Sequence, residues 1–106
     1  MCPICKKSGS STRSIGIQRV PPILLLHLSR FEYTTTAKKQ EDYVDFPLQD
    51  LNLLEHMVNP TNLATFDLVA VINHYGNMNS GHYTSYCKPP RGEVWYECND
   101  SVVSEL

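Results

Sequence analysis

The sequence predicts a mainly β protein with minor α content, built around an antiparallel sheet. Residues 23–31 and residues 66–75 are apolar at both odd and even positions, which is typical of strands that are covered on both faces. Residues 82–88 and residues 93–99 flank the sequence Pro-Pro-Arg-Gly, and this arrangement indicates a β-hairpin. Because strands joined by a short loop pair in opposite directions, the sheet is expected to be antiparallel.

The segments between these strands contain further elements. Residues 13–20 alternate between apolar and polar and end at two prolines, which predicts a strand. Leu51, Leu54 and Met57 have helical spacing and predict a short helix or turn. The remaining segments are a polar surface loop at residues 32–43, a brief extended piece at 44–47, a turn at 59–62 and a glycine-bracketed loop at 76–81.

Composition and charge exclude several classes of protein. The 106 residues are 42% hydrophobic and 19% charged, which is typical of one small folded domain or part of a larger one. The net charge of −2 and the absence of a basic stripe argue against a nucleic-acid partner. The longest apolar stretch, residues 20–28, is interrupted by two prolines and is too short to span a membrane.

The cysteine content indicates a cellular compartment, and the two uncovered strands indicate that the chain belongs to a larger domain. Four cysteines without a secretory signal favour a reducing, intracellular compartment, either cytoplasmic or nuclear. The strands at residues 23–31 and 66–75 need cover on both faces, and the rest of the chain contains no obvious helix to provide it. The chain is therefore expected to be the second part of a larger domain.

The hairpin aligns a histidine with an asparagine. If residues 89–92 form the loop, the opposed pairs are Lys88 with Glu93, Tyr86 with Trp95, Thr84 with Glu97, and His82 with Asn99. Opposed residues share a face, with their Cβ atoms about 4.5–5.5 Å apart. The carboxamide of Asn99 would then orient His82 and fix its tautomer, as the third member of a catalytic triad does. The alternative is a polar histidine at a strand end and an asparagine in a turn.

No cysteine of the chain is a convincing nucleophile for His82. Cys87 and Cys98 are predicted to point to the opposite face of the sheet, as small core residues. Cys2 and Cys5 form a Cys-x-x-Cys pattern, which is half of a tetrahedral zinc site or a redox pair. The lack of a helix start after this pattern favours zinc, with the other two ligands upstream. The alternative is two incidental thiols.

The second half of the chain contains three motifs: NHYG at residues 73–76, SGHYTSYC at 80–87 and WYECNDSVV at 95–103. Together they resemble the histidine box of the ubiquitin-specific proteases, a family of cysteine deubiquitinases. PPILLLHLSRF at residues 21–31 resembles a core strand of the same family, and VDFPL at 44–48 resembles the strand after its first mobile loop. The resemblance runs from residue 2 to residue 106, in the order of the family.

The resemblance implies the C-terminal, histidine-box part of a papain-like cysteine protease fold, with a palm-like antiparallel sheet. Residues 1–14 would end the zinc-ribbon fingers, and residues 15–106 would form the palm. Cys2 and Cys5 would then hold a structural zinc ion as one half of its ligand set.

The resemblance also implies roles for individual residues. His82 would be the general base, Asn99 its orienting partner, and Asp100 a secondary polar residue or a substitute orienter. Gly81 would let the substrate backbone pass close to the histidine, and Tyr83 would line the channel for the ubiquitin tail. A blocking loop over that channel would consist of Asn77, Met78, Asn79 and Ser80, and residues 34–40 would form another.

Several parts of the family pattern are absent from these 106 residues: the cysteine box, the helical thumb, the first Cys-x-x-Cys and a terminal strand. We therefore expect part of a longer thiol-dependent ubiquitin hydrolase that is inactive by itself and whose partners are ubiquitin and ubiquitinated proteins. One alternative is a non-catalytic ubiquitin-binding or scaffold module without the nucleophile. Another is a zinc knuckle with an inert sheet, although the spacing of His82 and Asn99 argues against it.

Overall fold

The computed structural model describes residues 1–33, 35–60 and 64–106, and their regular structure is almost entirely β. Within these ranges the helical structure is one 3-10 turn, which confirms the predicted mainly β class with minor helix. The elements are β1 Phe31–Tyr33, β2 Ala37–Lys39, β3 Leu51–Asn52, the 3-10 helix Leu54–His56, β4 Thr65–Phe66, β5 Ala70–Gly76, β6 Gly81–Cys87, β7 Tyr96–Asn99 and β8 Val102–Glu105.

The largest element is a four-stranded antiparallel meander in the order β5-β6-β7-β8. β1 pairs with β2, and β3 pairs with β4, as two small antiparallel sheets. The predicted antiparallel sheet is therefore confirmed. Strands that are consecutive in the chain are also neighbours in the sheet. The start of β6, with His82, therefore lies near the end of β7, with Asn99.

The loop between β5 and β6 is tight and is stabilised by its own side chains. Gly76 has a φ angle of +111°, and a Cβ atom there would lie 2.6 Å from the Ser80 carbonyl oxygen, so glycine is required. Asn77 Oδ1 accepts hydrogen bonds from the backbone amides of Asn79 and Ser80, at 2.9 and 3.0 Å. This confirms the predicted glycine-bracketed loop at residues 76–81.

The predicted register of the second hairpin is wrong by two residues. β6 and β7 pair as Ser85 with Cys98, Tyr86 with Glu97, and Cys87 with Tyr96. The predicted four-residue loop is too short because Trp95 does not join β7; its carbonyl oxygen instead accepts a hydrogen bond from the Leu106 amide at 2.9 Å. A shift by an even number of residues leaves every side chain on its predicted face.

The predicted central strand at residues 23–31 is also wrong in this structure. Residues 23–30 form no strand, and Ile23 and Leu25 are each 84% exposed. A strand needs a neighbour that satisfies its backbone hydrogen bonds, and among the described residues none pairs with residues 23–29; the first backbone partner is the Gln40 amide, which donates to the Arg30 carbonyl oxygen. The strand predicted at residues 13–20 is likewise reduced to one parallel bridge between Ile17 and Met57.

The structure also bears on four shorter predicted segments. The run predicted as one strand at residues 66–75 is divided into β4 and β5, because the Leu68 amide turns toward the Leu48 carbonyl oxygen at 2.9 Å. The short helix or turn predicted near residues 48–57 is present as the 3-10 turn. The piece at residues 44–47 joins no strand. Of the turn predicted at residues 59–62, residues 61 and 62 lie outside the described residues.

The described chain is open and leaves much apolar surface exposed. Its radius of gyration is 19.6 Å, whereas a compact chain of about 100 residues has about 13 Å. Its accessible surface is 9667 Å², against about 6,000 Å² for a compact monomer of this mass. Among the described residues the buried hydrophobic side chains are Met57 and Ala64. The cover predicted to be missing for the apolar segments is therefore not supplied by these residues.

Candidate active site

The structure brings His82 and Asn99 into direct contact. His82 is the second residue of β6, and Asn99 is the last residue of β7. The His82 Nε2 and Asn99 Oδ1 atoms are 2.7 Å apart. Because the register is shifted, the two residues are diagonal neighbours, and the length of both side chains closes the distance between them.

This hydrogen bond selects one tautomer of the histidine. A carboxamide oxygen only accepts hydrogen bonds, so Nε2 of His82 carries the proton and donates it to Asn99 Oδ1. In the neutral ring the lone pair is then on Nδ1. Both residues are exposed, so the ring remains accessible to a nucleophile or a substrate.

Asp100 follows Asn99 but lies in the two-residue turn to β8. Its φ angle is +50°, a left-handed conformation that aspartate tolerates better than most residues. Within the described part of the chain its carboxylate makes no hydrogen bond with His82. In this structure the side chain that contacts the imidazole is therefore that of Asn99 and not that of Asp100.

The candidate substrate residues surround the start of β6. Tyr75 is opposite His82, and Gly76 is opposite Gly81, so the loop 77–80 begins beside the histidine. Tyr83 is 62% exposed next to it. Within the loop Met78 is half-buried, and its neighbours are exposed: Asn77, Asn79 and Ser80. In the other candidate blocking segment, Thr34 lies outside the described residues and Ala37–Lys39 forms β2.

Gly81 is required by packing within the chain itself, which fills the space that a side chain would need. A Cβ atom at this position would collide with the His74 ring at Nε2 and with the Tyr75 carbonyl oxygen. The His74 ring also packs against Tyr83, with 4.7 Å between ring centroids, and edge-on against Phe31 at 5.8 Å. His74 thus supports two candidate site residues, Gly81 and Tyr83.

Sequence reasoning missed two residues near this site. His74 belongs to the NHYG motif, and a second histidine so close to a candidate catalytic one is a signal in itself. The sequence predicts Lys39 within a surface loop, yet its ammonium group hydrogen-bonds to the backbone of β5. No local pattern points to such a contact, because its acceptors are main-chain carbonyls.

Cys87 and Cys98 form a thiol pair that does not involve His82. Their Sγ atoms are 3.7 Å apart, and both residues are half-buried and free. The hydrogen bond with Cys98, together with burial, raises the pKa of Cys87 above that of an ordinary thiol. A protonated thiol is a poor nucleophile, so this pair is not a source of the attacking group.

Cys2 and Cys5 lie in an exposed turn at the N-terminus. The turn is closed by hydrogen bonds from the Lys6 amide to the Cys2 carbonyl oxygen and from the Cys2 amide to the Lys7 carbonyl oxygen. The backbone amide of Cys5, and then that of Ile4, hydrogen-bond to the Cys2 sulfur and lower its pKa. Stabilisation of a thiolate suits a metal ligand. In the part of the chain that the structure describes, no cluster of three or more metal-ligating side chains is present.

Comparison with known proteins decides the family of the chain. The family model described as ubiquitin carboxyl-terminal hydrolase matches residues 1–106. The chain belongs to this family. The similarity to the ubiquitin-specific proteases, which the motifs indicated, is thereby confirmed. The meander and the pair formed by His82 and Asn99 are accordingly parts of a family member with a papain-like fold.

Curated relatives of this ubiquitin carboxyl-terminal hydrolase family member are similar along nearly the whole chain. It is 40% identical over 105 residues to human ubiquitin carboxyl-terminal hydrolase 15, covering 97% of this chain and 11% of the relative. It is 43% identical over 106 residues to ubiquitin carboxyl-terminal hydrolase 2 of chicken, covering 99% of this chain and 30% of the relative. The chain therefore spans about a tenth to a third of the length of these relatives.

Solved structures show the same relationship. The Ubp8 deubiquitinase module of SAGA bound to ubiquitin aldehyde superposes with a TM-score of 0.76 at 31% identity, covering 86% of this chain and 22% of the other. A yeast SAGA module with a substituted Sgf73 subunit gives a TM-score of 0.74 at 33% identity, with coverage of 86% and 20%. Among the described residues of our chain, no helix is long and apolar enough to cross a membrane.

Proposed function

We propose that this chain supplies the histidine side of the active site of a thiol-dependent ubiquitin hydrolase. The observation that carries the proposal is the 2.7 Å hydrogen bond between His82 Nε2 and Asn99 Oδ1. Relatives named ubiquitin carboxyl-terminal hydrolases support the reaction class. Solved structures with bound monoubiquitin and ubiquitin aldehyde support ubiquitin as the substrate.

The mechanism follows from the tautomer of His82. With Nε2–H donated to Asn99, Nδ1 accepts the proton of a cysteine thiol and generates a thiolate. The thiolate attacks the carbonyl carbon at the ubiquitin C-terminus, and the imidazolium returns its proton to the leaving amine. Water then hydrolyses the thioester, with the same nitrogen as general base, and releases ubiquitin and the free thiol.

The nucleophile of this reaction lies outside these 106 residues. The thiols of Cys87 and Cys98 are hydrogen-bonded to each other, and the pKa of Cys87 is raised, first by this hydrogen bond. Cys2 and Cys5 belong to the exposed N-terminal turn. The histidine therefore acts on a cysteine supplied by another part of the complete enzyme.

The substrate-binding residues are those around the start of β6. Gly81 directly precedes His82 at the exposed start of β6, where the ubiquitin tail passes, and Tyr83 provides an exposed aromatic wall. Asp100 acts as a secondary polar residue near the reacting carbonyl, because its turn directly follows Asn99. The covering loop is formed by Asn77, Met78, Asn79 and Ser80.

The N-terminal turn has a structural rather than a catalytic role in this proposal. Residues 1–14 end a zinc ribbon, and residues 15–106 form the palm. Cys2 and Cys5 are chemically suited to zinc, since the pKa of Cys2 is lowered by backbone amides, with that of Cys5 first. They supply two of four ligands, and the zinc ion would stabilise the fold there. The free thiols agree with an intracellular, reducing location.

A chimeric protein tests the catalytic role of His82. Residues 1–106 replace the aligned segment of the chicken relative, which retains its own remaining sequence. The chimera is expected to release a fluorophore from a ubiquitin C-terminal amide, and His82→Ala should abolish turnover. His56→Ala is the matched control, because His56 is an exposed histidine in the 3-10 helix, outside the strands that carry His82 and Asn99.

The same experiment decides between the enzyme and a non-catalytic ubiquitin-binding module. Retained binding of ubiquitin without turnover in the parent chimera would favour the binding module. Turnover that survives His82→Ala would contradict the assignment of His82.

A further inference from the structure

Lys39 connects the first small sheet with the strand next to the candidate catalytic histidine. Its Nζ atom donates hydrogen bonds to the carbonyl oxygens of His74 and Gly76, at 3.1 and 3.0 Å. Lys39 ends β2, whereas both acceptors belong to β5. β5 is an edge strand of the meander, and alternate carbonyls of an edge strand lack a neighbouring strand. The ammonium group thus satisfies two acceptors that the sheet leaves open.

Phe31 reinforces this connection from the opposite strand. Phe31 and Lys39 are directly opposed in the ladder of β1 and β2 and so share one face. The Phe31 ring packs edge-on against the His74 ring, with 5.8 Å between the centroids. One cross-strand pair therefore holds both the ring and the carbonyl of a single β5 residue.

The two carbonyl acceptors flank the residue that faces His82. His74 and Gly76 lie on either side of Tyr75, which pairs with His82 in the ladder of β5 and β6. Gly76 also begins the loop 77–80, in which the Asn77 amide donates to the Ser80 carbonyl oxygen at 2.9 Å. Lys39 therefore acts at the point where this loop leaves the sheet.

We propose that Lys39 is a positioning residue for ubiquitin binding. Its two hydrogen bonds hold the end of β5, and with it the loop 77–80, in the conformation that receives the ubiquitin tail. Bonds from an ammonium group are stronger than those between neutral groups, and lysine has three donors to distribute. The inference rests on the proposed function and adds a specific residue to substrate recognition.

The test uses the chimera with two variants of Lys39 and one control variant. Lys39→Met removes the charge but keeps a similar stem, and Lys39→Arg keeps a charged donor. Arg91→Met is the control, because Arg91 is an exposed cation in the loop between β6 and β7. Lys39→Met should raise KM about five- to tenfold with less than a twofold change in kcat, since charge-assisted bonds at a partly exposed position are lost. Arg91→Met should change neither by more than about twofold, and Lys39→Arg should keep most of the affinity.

Amide hydrogen exchange provides a second measurement that does not depend on turnover. In the Lys39→Met variant the amides of Asn77, Asn79 and Ser80 should exchange about tenfold faster, because the base of their loop is no longer held. Equal exchange and equal KM in Lys39→Met and Arg91→Met would overturn the inference. So would a loss of kcat and melting temperature with unchanged KM and loop exchange. A parent chimera without turnover would count against the proposed function, whereas the exchange result would still decide whether Lys39 holds the loop.

Discussion

His82 and Asn99 are hydrogen-bonded as diagonal neighbours on β6 and β7, not as directly opposed residues. The 2.7 Å contact between Nε2 and Oδ1 is made although the ladder places Ser85, not Tyr83, opposite Cys98. Diagonal neighbours on one face remain within reach of long side chains. The pairing of the two residues therefore depends on their shared face and not on one exact register.

The proposed orienting role of Asn99 predicts a graded response to substitution. In the chimera, Asn99→Ala should lower kcat on the order of 10²-fold, because the imidazole loses the acceptor that fixes its tautomer. Asn99→Asp should keep much of the activity, since a carboxylate accepts the same hydrogen bond. Both variants should keep the melting temperature of the parent within about 2 °C, as the pair is exposed. Steady-state kinetics and thermal unfolding check this; full activity in Asn99→Ala would refute the orienting role.

Local patterns predicted the parts of this structure that depend on neighbours in the sequence. The glycine-bracketed loop and its asparagine carry their own turn chemistry, and parity alone places His82 and Asn99 on one face. The contact of Lys39 could not be predicted, because its acceptors lie 35 and 37 residues away and are main-chain atoms.

The segment at residues 23–30 shows that apolar composition alone does not predict a strand. Its apolar composition favours a strand at the centre of a sheet, but a strand also needs partners for its backbone amides and carbonyls. The described residues offer none to residues 23–29, and Ile23 and Leu25 are exposed. Composition indicated the surroundings that this segment requires, while the structure shows that they are not supplied by these residues.

The 106-residue chain alone should hydrolyse no ubiquitin amide. His82 is hydrogen-bonded to Asn99 but has no thiol within hydrogen-bonding distance among the described residues. Incubation with a fluorogenic ubiquitin C-terminal amide should give the rate of the buffer control. Turnover that disappears in His82→Ala would show that a cysteine of this chain reaches the ring after all.

The two cysteine pairs should differ in reactivity near neutral pH. Backbone amides, that of Cys5 first, lower the pKa of Cys2, whereas the hydrogen bond with Cys98 raises the pKa of Cys87. The thiolate is the reactive form, so at pH 7 iodoacetamide should modify Cys2 faster than Cys87. The difference should shrink as the pH rises through the pKa of Cys87 and should vanish in urea. Peptide mass spectrometry follows each site; equal rates at pH 7 without urea would contradict the assignment.

Zinc should bind the isolated chain weakly. Cys2 and Cys5 supply two of the four ligands of a closed tetrahedral site, and no larger cluster is present among the described residues. Metal analysis after dialysis should find well below one zinc per chain. The double variant Cys2→Ser/Cys5→Ser should lose the residual binding, and Cys87→Ser/Cys98→Ser should keep it. One zinc ion retained per monomeric chain would contradict the claim that these residues supply only half of the zinc ligands.

Gly81 should tolerate no larger residue, because the space above its Cα is occupied. A Cβ atom there would meet the His74 ring and the Tyr75 carbonyl oxygen, and the backbone cannot yield as a flexible side chain would. In the chimera, Gly81→Ala should therefore destabilise the fold by about 1–3 kcal/mol and displace His82, lowering turnover more than tenfold. Gly9→Ala is the matched control, since nothing lies within 4 Å of a Cβ atom at that position. Thermal unfolding and steady-state kinetics measure both effects, and equal behaviour of the two variants would mean that His74 does not pack against Gly81 in solution.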